Sequence, residues 1–204
     1  LQRACQQNPI GLLAALQLNR TAKHQHIKEL FVAILCEMLA KEGGMTPSSR
    51  LYLICAALTQ DLGMLELQDQ ALDRQNTPLT TQQLKAVNRH PHTGIGMLKR
   101  ANVAESLWLN TLEQHHEQPD GKGYPHGLRG KDICQSASIL HVADAYVAMV
   151  RPRGDRPAVL PKEAIKEIFL QRGSKFDTVA ARHLATVLGM YPPGTWVKLY
   201  NDEM

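Results

Sequence analysis

The sequence predicts an all-α protein, a single bundle of about eight helices with one long loop rich in glycine and proline. Three observations lead to this class. Apolar residues recur at helical spacing along most of the chain. Only 5% of the residues are aromatic although 44% are hydrophobic, so aliphatic side chains must fill the core, which suits packed helices. The chain shows neither internal repeats nor an alternation of strand and helix patterns.

Two long helices are predicted near the start. The first runs from Thr21 to Lys41, and a glycine pair ends it. Its apolar residues follow helical spacing: Ile27, Leu30, Phe31, Ile34, Leu35, Met38 and Leu39. The second helix begins after Thr46, carries Pro47 in its first turn, where proline is favoured, and runs toward Asp61.

Three shorter helices are predicted in the middle of the chain. Thr80 can cap a helix over residues 81–89, since Gln83 completes a capping box. We expect His90-Pro91 to interrupt this helix, because the residue before a proline avoids helical backbone angles. A short helix then follows, and another is predicted over residues 103–116.

A long loop precedes the last three predicted helices. Residues 118–131 hold four glycines and two prolines, and a loop of this length in a compact domain is usually functional or mobile. Helices are predicted over residues 134–150, 162–171 and 177–188, with a proline-containing loop over residues 151–161.

We divide the chain into three parts. Residues 1–20 form a helical lead-in, residues 21–194 form the bundle, and residues 195–204 form a tail that begins a further segment. The sequence opens on Leu1 rather than on methionine, so we expect a piece of a longer protein.

Composition excludes several classes of protein. No stretch approaches the ~20 apolar residues of a membrane span. The net charge of +4 is spread along the chain without a basic run interleaved with aromatic residues, so nucleic-acid binding is not predicted. A small anionic ligand fits this charge better. The four cysteines lack CxxC spacing and are predicted to be free thiols of a reducing compartment, the cytoplasm, with Cys36 and Cys55 buried.

Imidazole and carboxylate side chains recur on or near the ends of predicted helices, where several helices can bring them to one point. Together they suit Fe, Mn, Zn, Ni or Co. The candidate ligands are His26, Asp61, His90, His115, His116 and Asp144. A lone helical histidine is more often a surface or core residue than a ligand, and we assign that plainer role to four others: His24, His126, His141 and His183.

The segment from Gln114 to Gly130 carries a histidine pair and then Gly123, Tyr124 and Pro125. It is similar to the HHE..DGxGYP.GL.G pattern of the HD-GYP family, and a pattern of this length rarely matches an unrelated fold by chance. Shorter segments resemble the same family: Leu79 to Leu98, Val142 to Asp144 and Ser174 to Val179. The resemblance runs from about residue 26 to residue 194.

The resemblance implies an HD-type helical bundle with a GYP loop, and a family that hydrolyses cyclic di-GMP at a metal cluster. Such metals polarise phosphate and supply hydroxide near neutral pH. By position, Asp61 would bridge two metals as the catalytic carboxylate. The remaining ligands follow by position, with His90, His115 and His116 on one metal and His26 and Asp144 on the other. The resemblance implies Fe, Mn, Zn or Ni, in any number from none to two.

Four positions depart from the family pattern. Gln60 stands where the family has the histidine of its HD motif, and Met64 stands where it has a lysine. Ala22 and Val147 stand where it has acidic residues. An amide is a poor substitute for imidazole at a transition metal, and a thioether cannot stabilise developing negative charge. These losses imply impaired catalysis.

A phosphate-binding role is considered for two arginines in the loop after the Asp144 helix. Arg153 and Arg156 lie where the family has an arginine-proline segment, and guanidinium groups bind phosphate through paired hydrogen bonds. The alternative is that both are solvated loop charges.

Three functional hypotheses follow. In the first, a degenerate HD-GYP domain binds cyclic di-GMP, a related dinucleotide or, through its GYP loop, a signalling protein, with little turnover. In the second, the remaining Asp61 and histidine ligands support an active metal-dependent phosphodiesterase. The third is a metal-free structural domain, against which the four matched ligand positions argue.

Overall fold

A computed structural model of the chain describes residues 1–19, 24–67, 78–151 and 157–197, apart from the side chains of residues 24–26. The helices are α1 Gln2–Gln7, α2 Pro9–Leu18, α3 His24–Glu42, α4 Pro47–Thr59, the single turn α5 Leu65–Leu67, α6 Thr81–Arg100, α7 Ser106–Gln114, α8 Gln135–Val150, α9 Pro161–Leu170 and α10 Thr178–Leu188. No strand occurs within these ranges, and the predicted all-α class is confirmed.

Helices α3 and α8 form the centre of the bundle. Helix α3 packs against α4, α8, α2 and α10, while α7 and α9 lie against α8. The residues that α3 buries almost completely are Phe31, Val32, Ala33, Ile34, Leu35, Cys36, Leu39 and Ala40. The ring of Phe31 meets Tyr146 of α8 edge-on, with centroids 6.4 Å apart. Aliphatic residues therefore fill the core, as the low aromatic content predicts.

A buried ion pair fastens α3 to α4. Arg50 Nε donates to Glu37 Oε1 over 2.9 Å, and Arg50 Nη1 donates to the carbonyl oxygen of Met45 over 2.8 Å. The second bond links the pair to the turn between the helices. Because each buried charge has a charged partner and a hydrogen bond, the cost of burying it is offset.

Two predicted helix starts have the expected caps, at Thr46 and Thr80, and Asp177 caps a third helix just after its predicted start. Thr46 Oγ1 accepts from Ser49 N, with Pro47 in the first turn of α4. Thr80 and Gln83 form the capping box that begins α6. Asp177 Oδ1 accepts from two backbone N–H groups at the start of α10. These local signals fix where the helices begin.

The predicted interruption at His90-Pro91 is wrong. Helix α6 continues from Thr81 to Arg100 with Pro91 inside it. Proline has no N–H to donate to the carbonyl four residues earlier, which here belongs to Val87. The imidazole of His90 takes that place, with Nδ1 2.5 Å from Val87 O.

The N-terminal helices pack onto the bundle. Leu13 and Leu16 of α2 are buried in the main core. At the end of α8, Arg151 Nη1 donates to the carbonyl oxygen of Leu16 over 3.2 Å. Gly194, near the end of the described chain, lies so close to α2 that a side chain there would contact Ala14. Both ends of the described chain therefore contact α2.

Two expectations from composition can be compared with the structure. None of the described helices is long and apolar enough to cross a membrane. All four cysteines are free thiols, and Cys36 is fully buried as predicted. Cys55 is partly exposed, which corrects its predicted burial.

Candidate metal centre

Three histidines meet at one point between α6 and the end of α7. His90 lies in the middle of α6, and His115 and His116 directly follow α7. Their ligand nitrogens all lie within 4.8 Å of one another. Among them, His90 Nε2 and His115 Nε2 are 3.3 Å apart. His90 and His115 are fully buried, and His116 is partly so. We call these residues the histidine triad.

Backbone carbonyls set the orientation of two of these rings. His90 Nδ1 lies 2.5 Å from Val87 O, and His115 Nδ1 lies 2.6 Å from Leu112 O. A carbonyl only accepts, so Nδ1 carries the proton in both rings and Nε2 presents a lone pair.

Two facing lone pairs need a cation between them. Metal–nitrogen bonds of ~2.0–2.1 Å at a tetrahedral angle would separate the two nitrogens by roughly 3.3–3.4 Å. The observed separation of 3.3 Å between His90 Nε2 and His115 Nε2 fits this arrangement. The histidine triad could therefore hold a transition-metal ion.

Burial keeps the triad neutral. Burial, followed by the neighbouring His90, lowers the pKa of His115 to about 4. Burial likewise lowers the pKa of His90, and burial together with His115 and His90 lowers the pKa of His116 well below its ordinary value. A metal binds only the neutral imidazole, so no proton has to be removed near neutral pH.

The GYP loop covers the third histidine. The ring of Tyr124 stacks on His116 with centroids 4.6 Å apart and an interplanar angle of 23°. A side chain at Gly123 would lie 2.5 Å from Glu117 Cα, so only glycine allows the loop to pass this closely. Tyr124 N also donates to the carbonyl oxygen of His116 over 3.2 Å. Tyr124 of the GYP loop thus contacts His116 through both its ring and its backbone.

Glu117 holds the rest of the loop in place. Its carboxylate is buried and accepts from the backbone N–H of His126 over 2.6 Å and of Leu128 over 2.9 Å. These bonds satisfy a buried charge with two donors. The acidic residue of the histidine-histidine-glutamate run therefore supports the loop and is not a member of the triad.

His141, to which sequence reasoning gave a plain role, borders the centre. Its Nδ1 donates to the carbonyl oxygen of His115 over 2.9 Å. Its ring lies 6.4 Å from His116 and 5.2 Å from Phe176. It therefore helps to fix the backbone that carries His115. Its position in α8, three residues before Asp144, was the available signal, because residues three apart share a helix face.

A second cluster joins α3, α4 and α8. Lys28 Nζ lies 2.7 Å from Asp61 Oδ2 and 2.9 Å from Asp144 Oδ1. The side chains of Lys28, Asp61 and Asp144 are 12%, 3% and 18% exposed. Gln60 is fully buried, and its Nε2 donates to Asp144 Oδ1 over 3.1 Å. We call these four residues the lysine-carboxylate cluster.

The two clusters act on each other electrostatically. The charges of Asp61, Asp144 and Lys28 all shift the pKa of His90, although burial has the largest effect. Burial alone would lower the pKa of Lys28, but Asp144 and Asp61 outweigh it and raise that pKa above its ordinary value. The ammonium is therefore charged at neutral pH.

The lysine-carboxylate cluster does not fit a second metal ion as it stands. The ammonium lies within hydrogen-bonding distance of both carboxylates that would have to hold the ion. Gln60 presents an N–H donor to Asp144, and an N–H group cannot bind a metal. The histidine triad fits a metal ion. Asp61 and Asp144 are instead paired with Lys28, a residue that the sequence analysis did not predict as part of the site.

Of the other residues singled out in the sequence, most lie outside the described part of the chain and one lies in the core. His26, as a side chain, and Ala22, Arg153 and Arg156, as whole residues, lie outside the described part of the chain, so their roles stay predictions. Val147 is fully buried in the core.

The bundle brings histidines from α6 and from just after α7 near carboxylates that lie just after α4 and in α8. Because imidazole and carboxylate groups together suit a transition metal, this arrangement defines a helical protein with a candidate metal site. The chain belongs to the HD domain family, whose profile matches residues 11–179. The resemblance to HD-GYP proteins is confirmed by the relatives.

Three curated relatives carry the same activity in their names. The chain is 28% identical over 197 residues to the cyclic di-GMP phosphodiesterase PA4108 of Pseudomonas aeruginosa, covering 97% of this chain and 47% of that protein. It is 32% identical over 146 residues to a cyclic di-GMP phosphodiesterase of Thermotoga maritima, covering 71% and 39%. It is 30% identical over 141 residues to the response regulator RpfG of Xanthomonas campestris pv. campestris, also named a cyclic di-GMP phosphodiesterase, covering 69% and 37%. The chain thus spans less than half the length of these relatives.

Solved structures share the fold. Bd1817, an HDG"Y"P protein from Bdellovibrio bacteriovorus, matches with a TM-score of 0.68 at 23% identity, covering 92% of this chain and 63% of that one. The HD domain of the L. monocytogenes phosphodiesterase PgpH in complex with cyclic di-AMP matches with a TM-score of 0.54 at 18% identity, covering 90% and 97%. At these identities the match concerns the fold.

Proposed function

We propose that this chain is an HD-GYP domain of bacterial cyclic-dinucleotide signalling that binds a cyclic dinucleotide or a protein partner and hydrolyses little or none. The names of the curated relatives support cyclic di-GMP as the ligand class. The histidine triad would hold one ion of Fe, Mn, Zn or Ni. The free thiols agree with a reducing compartment, and we propose the cytoplasm.

The position of Gln60 carries this proposal. The resemblance assigns a metal-binding histidine to this position, but the carboxamide donates to Asp144 instead. Its Oε1 is buried and finds no donor in the described part of the chain. Asp61 beside it, the residue to which the resemblance gives the bridging role, is bonded to Lys28. A two-metal mechanism needs a carboxylate free to bridge two ions.

The GYP loop supports a role in partner binding. The carboxylate of Glu117 accepts two backbone hydrogen bonds from the loop, and the ring of Tyr124 stacks on His116. Its outer side exposes charge, since the Lys122 side chain is 81% exposed and Arg129 is also exposed. An exposed loop that such contacts hold in place can present a surface to a partner at a reduced ordering cost.

The test combines metal content, cleavage and binding on one preparation. Protein loaded with Mn²⁺ or Fe²⁺ is analysed for ions per chain, incubated with cyclic di-GMP, and titrated with the same ligand by calorimetry. We expect no more than one ion per chain, little linear product and measurable binding of ligand. Rapid metal-dependent formation of linear product would overturn the proposal.

One observation favours an alternative, an active phosphodiesterase that uses a single ion. The triad is complete, and its Nε2 separation of 3.3 Å suits one metal. A single zinc or iron ion can activate water on its own. In the same assay, this alternative requires linear product from a protein with one ion per chain, and loss of that product in His115→Ala.

A further inference from the structure

The lysine-carboxylate cluster places a side-chain cation where two carboxylates converge. Lys28 Nζ is 2.7 Å from Asp61 Oδ2 and 2.9 Å from Asp144 Oδ1. Both contacts are within the range of a charge-assisted hydrogen bond. One ammonium therefore neutralises part of the charge of two acids, one just after α4 and the other in α8.

The position of Lys28 in α3 shows that this contact is built into the bundle. Residues Phe31, Val32 and Leu35 follow Lys28 at three, four and seven positions, and all three are at most 2% exposed. Helical periodicity puts Lys28 on the same face. A lysine on a buried face cannot reach bulk water easily, so its charge needs partners inside the protein.

Gln60 supplies a second hydrogen-bond donor to Asp144. The Oδ1 atom of Asp144 receives the Lys28 ammonium at 2.9 Å and Gln60 Nε2 at 3.1 Å. Two donors then satisfy this oxygen without a metal. A divalent ion would have to displace the ammonium and would meet its like charge at close range.

We propose that Lys28 is a built-in cation that takes the place of a metal ion between Asp61 and Asp144, so that the centre holds one divalent ion at the histidine triad and none at the carboxylates. This inference rests on the proposed function only in using the same pocket. Lys28 then determines the number of ions, and Gln60 donates the second hydrogen bond to Asp144 that a bound metal would otherwise replace.

The first test counts ions in Lys28→Met. Methionine keeps most of the length of the side chain and removes the charge. Wild-type protein, Lys28→Met and the control Lys41→Met, an exposed lysine in the last turn of the same helix, are loaded with Mn²⁺, dialysed and analysed. We expect one ion more per chain in Lys28→Met than in the wild type, with Lys41→Met unchanged. Two ions in the wild type, or no additional ion in Lys28→Met, would overturn the inference.

Stability in the presence of a chelator gives a second test that needs no bound metal. Asp144→Asn should lower the melting temperature of the wild type, because it removes one partner of a buried ammonium. In the Lys28→Met background the same change should raise it, because it relieves two adjacent carboxylates. A lowering of equal size in both backgrounds would sink the proposal. If Lys28→Met folds only when Mn²⁺ is added, that result also supports a metal taking over from the lysine.

These measurements separate the inference from the proposed function. Neither uses a dinucleotide, so linear product from wild-type protein would overturn the proposed function and leave the role of Lys28 standing. Conversely, an unchanged ion count in Lys28→Met would remove the built-in cation while the binding role of the domain remained.

Discussion

His90 and Pro91 act as a pair. Proline leaves the carbonyl of Val87 without its usual backbone donor, and His90 Nδ1 takes up that carbonyl at 2.5 Å. The same bond turns Nε2 toward His115, 3.3 Å away. A residue that commonly breaks a helix therefore supplies the orienting partner of a proposed metal ligand.

Replacing this proline should separate stability from metal affinity. In Pro91→Ala the new N–H competes for Val87 O, so α6 becomes more regular and the protein more stable by about 1–3 kcal/mol. The imidazole of His90 loses its fixed partner, and affinity for Zn²⁺ should fall by about 10- to 100-fold. Denaturant unfolding with chelator and competitive metal titration measure the two effects.

Pro47→Ala is the matched control for this change. Pro47 is exposed in the first turn of α4, where the missing N–H has no helical partner in any case. Metal affinity should not change in this variant. Unchanged affinity in Pro91→Ala would mean that the Val87 carbonyl does not orient His90.

Lys28 shows what sequence reasoning missed and why. Its phase with Phe31, Val32 and Leu35 was readable from the sequence, and a lysine in phase with a buried stripe needs an internal partner. Which acids supply that partner depends on how α3, α4 and α8 pack, and no local pattern encodes this.

The approach of two helical segments determines where His90 lies. Gly63, in the 3₁₀ turn after α4, packs against the backbone of α6. A Cβ atom at Gly63 would clash with the carbonyl oxygen of His90 and lie 2.7 Å from Gly94 N. Both obstacles are backbone atoms, so α6 itself would have to move.

Gly63→Ala should therefore destabilise the protein and weaken metal binding together. We expect a loss of about 1–3 kcal/mol, as for overpacking at a tight contact, and lower Zn²⁺ affinity because His90 shifts away from His115. Thermal unfolding and competitive metal titration report the two losses.

Gly96→Ala tests the same chemical change on α6 away from this contact. Among the residues that the structure describes, a Cβ atom at Gly96 would meet only Arg100 Nη1, at 3.6 Å. Alanine there should stabilise the helix by up to about 1 kcal/mol and leave metal affinity unchanged. Equal behaviour of the two variants would show that the approach at Gly63 has no special role.

Helices with backbone and capping signals were predictable, and the exception is caused by a side-chain bond within α6. Caps at Thr46 and Thr80 and the apolar spacing of α3 gave helix positions close to those observed, because these signals lie within a few residues. The continuity of α6 through Pro91 depends on a side-chain bond from His90 to Val87. General rules for proline do not include that bond, so they placed a break there.

The pocket as a whole unites residues that are far apart in the chain. Lys28 and Asp144 meet across 116 positions of sequence (144 − 28), and His90 meets His115 across 25. Such convergence was predicted only through the family resemblance, since periodicity assigns faces of helices and not their partners. The bundle therefore keeps several neutral imidazoles near an ammonium that pairs with two carboxylates.

This burial makes the stability of the metal-free protein depend on pH. The pKa of His115 is about 4 in the folded protein because of burial and the neighbouring His90, against about 6.5 in an unfolded chain. Below pH ~6.5 the unfolded chain takes up a proton that the folded protein accepts only near pH ~4. Above pH ~6.5 this histidine does not reduce the free energy of unfolding. As the pH falls from ~6.5 to ~4, the free energy of unfolding decreases by about 1.4 kcal/mol per pH unit for one histidine.

Urea unfolding with chelator at several pH values between 4 and 7 measures this slope. In His115→Gln the side chain cannot titrate, so the slope should decrease by about one histidine's share, while His90 and His116, whose pKa values are also lowered by burial, keep part of it. His126→Gln is the control, since the His126 side chain is 51% exposed and pairs with Glu113 at the surface. A slope that His115→Gln leaves unchanged would mean that His115 does not contribute to the acid sensitivity of the protein.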